Sequence, residues 1–475
     1  MPDGDRGRDH GRADASGAGA PGSPRLGLTL TAAAMCIFVV QLDFLALNLA
    51  LPRMASELGT STTDLQWVIS GYMLALAAFL IPGGRLGDIF GRRRVLIVGL
   101  AVFGLCSLGA GLSSSAAVVV VLRILQGTGA GILFPLAVAV VTDAYPRERT
   151  MRAIGNAYGI GALALALGPL VGGGLTELIG WRWVLLINVP TVLVAILVVR
   201  AGVRESRDTT VPRTIDLPGL VTVVLGIAGL TLAVDRANAW PAGATVAVAA
   251  AGLLMLGLFV LRERRARWPL VALDLFRNTP YVIVTLMATV ANIAFVVAMY
   301  GVTVYLQEVE GHSPLVSGVI FLASSVTAGF AGPVSGWLGE RFDIPRTIAA
   351  ATVLGAVGLG LVSLSDALGS YLPGLALVGL GYGIGWAMAS IGTQTVVPAE
   401  RAGQASGVTL AIVIGVAGMF VAAGATLIEV RAEDVGLGTS IEDALRWMAI
   451  GSAVAAAALG ALAARLMPRT TAGTS

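Results

Sequence analysis

The chain contains no lysine, so all 31 of its basic residues are arginine. It has only two cysteines, Cys36 and Cys106, both inside apolar runs, which excludes a disulfide scaffold and a cysteine-based metal or redox centre. Two histidines, His10 and His312, are too few for a histidine cluster. Charge is scarce: 12% of residues are Asp, Glu, Lys or Arg, where a soluble domain carries roughly 25%. The 56% hydrophobic content and mean hydropathy of +0.85 exceed what a soluble interior of 475 residues could bury. Ten-residue alternating segments are missing too, which excludes a transmembrane β-barrel. The net charge of +3 is dispersed over short loops and does not point to nucleic acid.

What the sequence does have is long apolar runs, about 14 of them, each read as a transmembrane helix. They cover residues 28–52, 66–84, 94–112, 117–141, 152–175, 183–200, 217–234, 243–261, 281–306, 315–334, 347–365, 371–395, 403–428 and 443–465. Residues before 26 are polar, rich in Gly, Ala, Asp and Arg, and lack the apolar stretch of a signal peptide. Glycine, at 62 residues, lets helix backbones approach closely in lipid. Arginines crowd alternate loops: Arg85 and Arg92 to Arg94, then Arg147 and Arg149, then Arg204 and Arg207, then Arg262 to Arg277. The intervening loops carry Glu57, Asp64, Asp235, Glu308, Glu310 and Asp366 instead. This asymmetry places both termini in the cytoplasm. The runs at 217–234 and 243–261 are nearly pure Val, Leu, Ala and Gly, so six runs precede them and six follow.

A few polar residues interrupt these runs. Asp43 sits in the first run, where burial of a carboxylate demands a cavity or a partner. It reads either as a group that exchanges protons or binds a cation, or as a structural carboxylate locked to an arginine. Arg123, near the start of the fourth run, either snorkels to the nearer surface or turns inward and orders a network with Gln126. Asn48, Asn156, Asn188, Asn292, Gln394 and Gln404 are further intramembrane polar groups, each able to bind substrate or to bond across a helix interface. Tyr72, Phe295, Tyr300, Tyr305, Tyr382 and Trp386 offer ring faces to a lipophilic ligand or simply pack.

Glycine and proline punctuate two stretches. Gly168, Pro169, Gly172 and Gly173 combine a missing amide donor with a surface that permits tight crossing, as a hinge or a sealing contact needs and as static close packing also uses. Gly83 to Arg94, containing Gly84, Asp88, Gly91 and Arg92, reads as a short cytoplasmic turn in which Asp88 pairs with an arginine or caps the next helix. It lacks the Gly-Lys-Ser/Thr ending of a phosphate loop.

Together these segments resemble the major facilitator superfamily, in particular its fourteen-helix drug:proton antiporter branch. The resemblance rests on residues 84–94, on Leu42-Asp43 through Asn48 to Pro52, and on Arg123, Gln126, Gly127 and Gly129. Gly168-Pro169 with Gly172-Gly173, and Trp181-Arg182-Trp183 followed by Ile187 to Pro190, add to it. Ala164 replaces a usual glycine, and the second-half echo at Gly336 to Asp343 carries Glu340 where the pattern has Asp. The resemblance implies an all-α polytopic membrane protein with two six-helix bundles, at 27–200 and 266–467, and two additional central helices within 201–265. Short tails at 1–26 and 468–475 complete it. It implies a proton-coupled antiporter exporting lipophilic, often cationic compounds by alternating access, with protons as the coupling ion and no other cofactor. Asp43 and Arg123 would couple protons, Gly84, Asp88, Gly91, Arg92 and Glu340 would form a conformational latch, and Asn48, Gln126, Asn292, Phe295, Tyr300, Tyr382, Trp386 and Gln394 are the cavity candidates. The expected setting is the bacterial inner membrane, as a monomer among lipids, with no nucleic acid partner. Export of one specific metabolite, lipid or siderophore, and a non-transporting sensor or scaffold, are the competing readings. No nucleophile or metal constellation suggests an enzyme.

Overall fold

The computed structural model describes residues 24–207, 216–237, 240–266, 269–271, 273–365, 368–398 and 402–467. Among the described residues every regular element is helical. The long helices are α1 (Pro24–Ala46), then the short α2 (Leu51–Leu58), α3 (Trp67–Phe90), α4 (Arg92–Leu112), α5 (Ala116–Ala144), α6 (Arg147–Leu178) and α7 (Asn188–Gly202). There follow α8 (Leu217–Asp235), α9 (Ala242–Arg265), α10 (Thr279–Val304), α11 (Pro314–Arg341), α12 (Ile344–Ser363), α13 (Leu368–Thr395), α14 (Ala402–Val435) and α15 (Leu437–Leu466). Among the described residues twelve helices are long and apolar enough to cross a membrane, and thirteen when α3, bent by 48° between Leu80 and Pro82, is taken as one crossing. Helix α6, at 32 residues, is long but is not one of these. Pro82 accounts for the bend, since its ring displaces the preceding turn and it donates no amide.

Helix starts follow local chemistry. Asp216, Asn278 and Ser313 each accept a hydrogen bond from the amide three residues on, at 3.1, 3.2 and 3.3 Å, and a proline occupies the first turn of α8, α10 and α11. This pairs a side-chain cap with a residue whose missing N–H costs nothing there. Gly91 breaks α3 from α4 with φ of 105°, a conformation closed to most side chains.

The expected turn at Gly83 to Phe90 is instead the last two turns of α3. The glycines there serve close approach rather than turning. A Cβ on Gly83 would lie 2.7 Å from the Ile132 Cα, and one on Gly87 would overlap the Leu136 side chain. The first run is also interrupted: α1 stops at Ala46, a tight turn spans Asn48–Ala50, and α2 restarts at Leu51-Pro52.

Packing sorts the helices. Residues 24–207 pack α1 on α6, α7 and α5, α3 on α5, and α4 on α5 and α7. Residues 273–467 pack α12 on α13 and α15, α11 on α13, and α10 on α13, α14 and α15. The two groups meet through α6 with α11 and α3 with α14. Helices α8 and α9 pack on each other, and α8 touches both α3 and α14. Only 22% and 11% of their apolar windows are buried, against 67% for α5, so nearly all their surface is left for lipid.

Loops define two faces. At the terminal face, which bears residue 24, the Tyr145 hydroxyl donates to the Leu26 carbonyl at 2.9 Å and the Arg92 amide to Ser206 at 2.9 Å. At the opposite face Arg182 meets Glu57 at 3.0 Å and Arg236 meets Asp64 at 2.9 Å.

Candidate functional site

Asp43, near the end of α1, and Arg123, on α5, form an ion pair at 2.6 Å although 80 residues separate them. Both are fully buried, at 1% exposure each. Arg123 therefore turns inward and does not snorkel. Its Nη1 also donates to Gln126 Oε1 at 2.9 Å and its Nε to the Val68 carbonyl at 3.1 Å. The guanidinium lies 4.2 Å from the centre of the Tyr72 ring, a cation–π contact that gains strength when desolvated. Asp43 Oδ1 accepts from Gln126 Nε2 at 3.2 Å and from Asn188 Nδ2 at 2.7 Å. Asn188 Nδ2 is held in turn by Ser107 Oγ at 3.0 Å, which donates to the Leu185 carbonyl at 2.8 Å. Five helices thus contribute to one polar knot in an otherwise apolar interior. Such a pair persists in oil only because donors and acceptors complete it, and loss of either partner leaves an uncompensated charge.

Glycines let these helices close around the knot. A Cβ on Gly127 would overlap the Tyr72 carbonyl, and one on Gly131 would sit 2.5 Å from the Leu76 carbonyl, so α3 and α5 meet backbone to backbone beside Arg123.

The halves meet unevenly. A Cβ on Gly173 would overlap the Pro314 carbonyl, and one on Gly318 the Pro169 carbonyl, so α6 and α11 touch by their backbones toward the opposite face. Gly172 abuts the Ala46 carbonyl in the same way. Hydrogen bonds join the halves at this end, among them Leu315 N to Glu177 at 3.1 Å, Gln307 to the Leu49 carbonyl at 3.3 Å, and Thr62 to Glu308 at 3.4 Å. Toward the terminal face the same helical sides part. Gly155 and Gly159 of α6, and Gly329, Gly332 and Gly336 of α11, have no neighbouring atom within 4 Å of a built Cβ. At helical spacing these positions lie under Gly173 and Gly318 respectively. The interface is closed at one end and open at the other.

Comparison with known proteins identifies the family to which this fold belongs. The profile of the Major Facilitator Superfamily matches residues 33–423. The chain belongs to that superfamily. It is 35% identical over 386 residues to the tetracenomycin C resistance and export protein of Streptomyces glaucescens, covering 80% of this chain and 71% of that one. It is 36% identical over 383 residues to the cephamycin export protein CmcT of Amycolatopsis lactamdurans, covering 78% of each. It is 33% identical over 431 residues to the drug efflux pump JefA of Mycobacterium tuberculosis, covering 87% and 84%. Among solved structures, the peptide transporter PepTSo of the POT family superimposes with a TM-score of 0.68 at 15% identity, over 94% of this chain and 98% of that one, which speaks to fold alone. The protein is thus a polytopic transporter of small molecules, not an enzyme.

Other expected residues of this transporter fall as follows. Asp88 accepts from Arg92 at 2.9 and 3.1 Å, and Arg92 also pairs with Asp143. Asp143 in turn accepts from Ser206 Oγ at 2.6 Å, and Glu205 accepts from the Arg93 amide at 3.2 Å. The cluster binds α3, α4, α5 and the segment after α7 together at the terminal face. Asp143, Glu205 and Ser206 were not singled out from sequence; Asp143 before Tyr145-Pro146 at a helix end was the available signal. The side chains of Glu340, Gln394 and Gln404 lie outside the described residues. Gln126 belongs to the Asp43 knot, and Tyr72 caps Arg123. Tyr382 is buried at 1% exposure, with its hydroxyl 3.0 Å from Ser452 and its ring against Gly355, inside the second half. Tyr300 is likewise buried, whereas Asn292, Phe295 and Trp386 are half-buried, with Asn292 donating to the Val413 carbonyl at 3.3 Å. Asn48 lines a narrow crevice between the halves, with Leu49, Pro169, Met299, Thr303 and Phe321. Among the described residues no group of three or more His, Cys, Asp or Glu could hold a metal ion.

Proposed function

We propose that this transporter is a proton-coupled antiporter that exports lipophilic, drug-like compounds from a bacterial cell by alternating access. The observation that carries the coupling is the buried Asp43–Arg123 pair, completed by Gln126 and Asn188. An ionised Asp43 holds Arg123; a protonated Asp43 no longer does, and Arg123 falls back on Gln126 and the Val68 carbonyl. The pair is also mechanically close to the closed end. Three residues beyond Asp43, the Ala46 backbone abuts Gly172, and the adjacent Gly173 abuts Pro314 of the other half. A change of charge at Asp43 that shifts the end of α1 therefore acts directly on that contact. The arginine-rich loops support a cytoplasmic terminal face, so the captured form is open inward.

In this reading α3 counts as one crossing and α6 as another, which brings the total to fourteen. Residues 27–200 and 266–467 then act as two rocking six-helix units, with α8 and α9 between them. Asp88, Arg92 and Asp143 hold the first unit together at the cytoplasmic side. Relatives named for single compounds, tetracenomycin C and cephamycin, favour a narrower version in which one metabolite is the native substrate.

The test is efflux of a fluorescent lipophilic dye from vesicles with and without a pH gradient. Efflux should slow when the gradient is collapsed, and Asp43→Asn should abolish the dependence while the folded protein persists. Efflux that ignores the gradient in the wild type overturns the coupling.

A further inference from the structure

We infer that the compound carried is an uncharged amphiphile bearing a hydrogen-bond donor, recognised in part by Asn48, so that exchange for a proton moves net charge. This rests on the exporter reading and specifies its substrate. The first observation is the supply of counter-charge. Asp443 lies at the opposite-face end of its helix and is taken up by Arg431 and Arg446, at 3.1 and 3.7 Å. Apart from it, Asp43 is the one Asp or Glu within the fourteen apolar runs. Asp43 is fully buried and already accepts from Arg123, Gln126 and Asn188. The Tyr72 ring face, a natural seat for a cation, is covered by the Arg123 guanidinium. A cationic guest beside Asn48 would thus find Asp43 already engaged and would face a buried arginine, while Glu177 and Glu308 at the closed end accept from the Leu315 amide and the Thr62 hydroxyl. Desolvating a cation without a partner is costly, whereas an uncharged body gains from the same apolar surroundings.

The second observation is a polar atom with nothing to bind. Asn48 is 5% exposed and its Oδ1 is buried without a hydrogen-bond partner. It lines the crevice between the halves beside Pro169, Met299 and Thr303. Pro169 lies about one helical turn inward of the Gly173–Pro314 contact. A buried amide oxygen left unpaired is costly, and its position, at the inner side of the closed end, is where a substrate crossing between the halves arrives. An acceptor there selects a donor: a hydroxyl or amide N–H on an otherwise apolar compound.

The experiment uses purified full-length protein in liposomes and three fluorescent probes: a hydroxylated anthraquinone, its O-methyl ether, and its trimethylammonium derivative. Efflux is followed under an imposed pH gradient, with and without a potassium–valinomycin potential. The expected result is that the hydroxylated compound is preferred, and that a potential negative on the side it leaves accelerates its exit, because one proton enters against an uncharged molecule. Asn48→Leu should raise the KM for the hydroxylated probe about tenfold, the effect of one lost hydrogen bond to a buried acceptor, and leave the O-methyl ether unchanged. Preference for the trimethylammonium probe, or exchange indifferent to the potential, overturns the inference while leaving the exporter reading intact. An Asn48→Leu effect equal on both uncharged probes overturns the role of Asn48. If no probe responds to either gradient, the exporter reading itself fails, and the inference with it.

Discussion

Replacing Asp43 by Asn removes the charge but keeps the shape. The amide still accepts one hydrogen bond, yet its NH2 must face either Arg123 Nη1 or Asn188 Nδ2, which donate at 2.6 and 2.7 Å in the native knot. Breaking a buried pair by removing one partner costs about 3–5 kcal/mol. The lower end applies here, because Arg123 keeps Gln126 Oε1, the Val68 carbonyl and the Tyr72 ring. Arg123→Gln should cost a similar amount, by leaving the carboxylate with Gln126 and Asn188 alone. The double variant buries no charge, so it should lose far less than both single changes together, with a coupling energy of roughly 2–3 kcal/mol. The assay is reversible unfolding of the purified protein in mixed detergent, read by tryptophan fluorescence, beside gradient-driven dye efflux. All three variants should lose gradient-driven efflux, including the double variant with its recovered stability. Strictly additive stability effects would show that the two side chains do not depend on one another. Gradient-driven efflux by the folded double variant would refute the role given to the pair.

Three further outcomes follow from the geometry. Gly318→Val places a side chain against the Pro169 carbonyl, so it should hold the opposite end apart, raise thiol labelling at a cysteine placed at Leu49, and stop turnover; unchanged labelling contradicts the close contact. Tyr382→Phe deletes a buried hydroxyl 3.0 Å from Ser452 and should cost about 1 kcal/mol in unfolding experiments without changing the KM of any substrate. Asp88→Asn leaves Arg92 its bond to Asp143; at this partly exposed site the stability loss should stay below about 1 kcal/mol, while the rate of efflux falls.

The helices were legible because each apolar run is long and most loops between runs carry charge; the prolines at Pro218, Pro280 and Pro314, which open α8, α10 and α11, are a start signal the reading of the runs did not use. Their extents were less so. Gly83, Gly84 and Gly87 resemble turn residues in sequence, but α5 presses on α3 there, and glycine in a helix serves that contact as readily as a turn. The partners of the central knot were legible one by one rather than as a set. Asp43, Arg123 and Gln126 stand out as polar residues in oil, but their mutual distance depends on how α1 and α5 cross. Asn188 reads as one polar residue among several, and Ser107, in an apolar run beside Cys106, carries no signal of its role as its anchor. The reverse holds for Tyr382, whose sequence context suits a cavity wall but whose hydroxyl is spent on a neighbouring helix. The asymmetry between the two ends of the α6–α11 interface depends on which conformer is populated, a property no single residue encodes.

The central claim is that Asp43 changes its protonation as the transporter switches which face is open. Infrared difference spectroscopy on the reconstituted protein measures this directly, with the conformer switched by a crosslink between α6 and α11 at the terminal face. The account predicts a protonated-carboxyl band that appears on switching and vanishes in Asp43→Asn. A spectrum with no such band, or with the same band in both proteins, would contradict it.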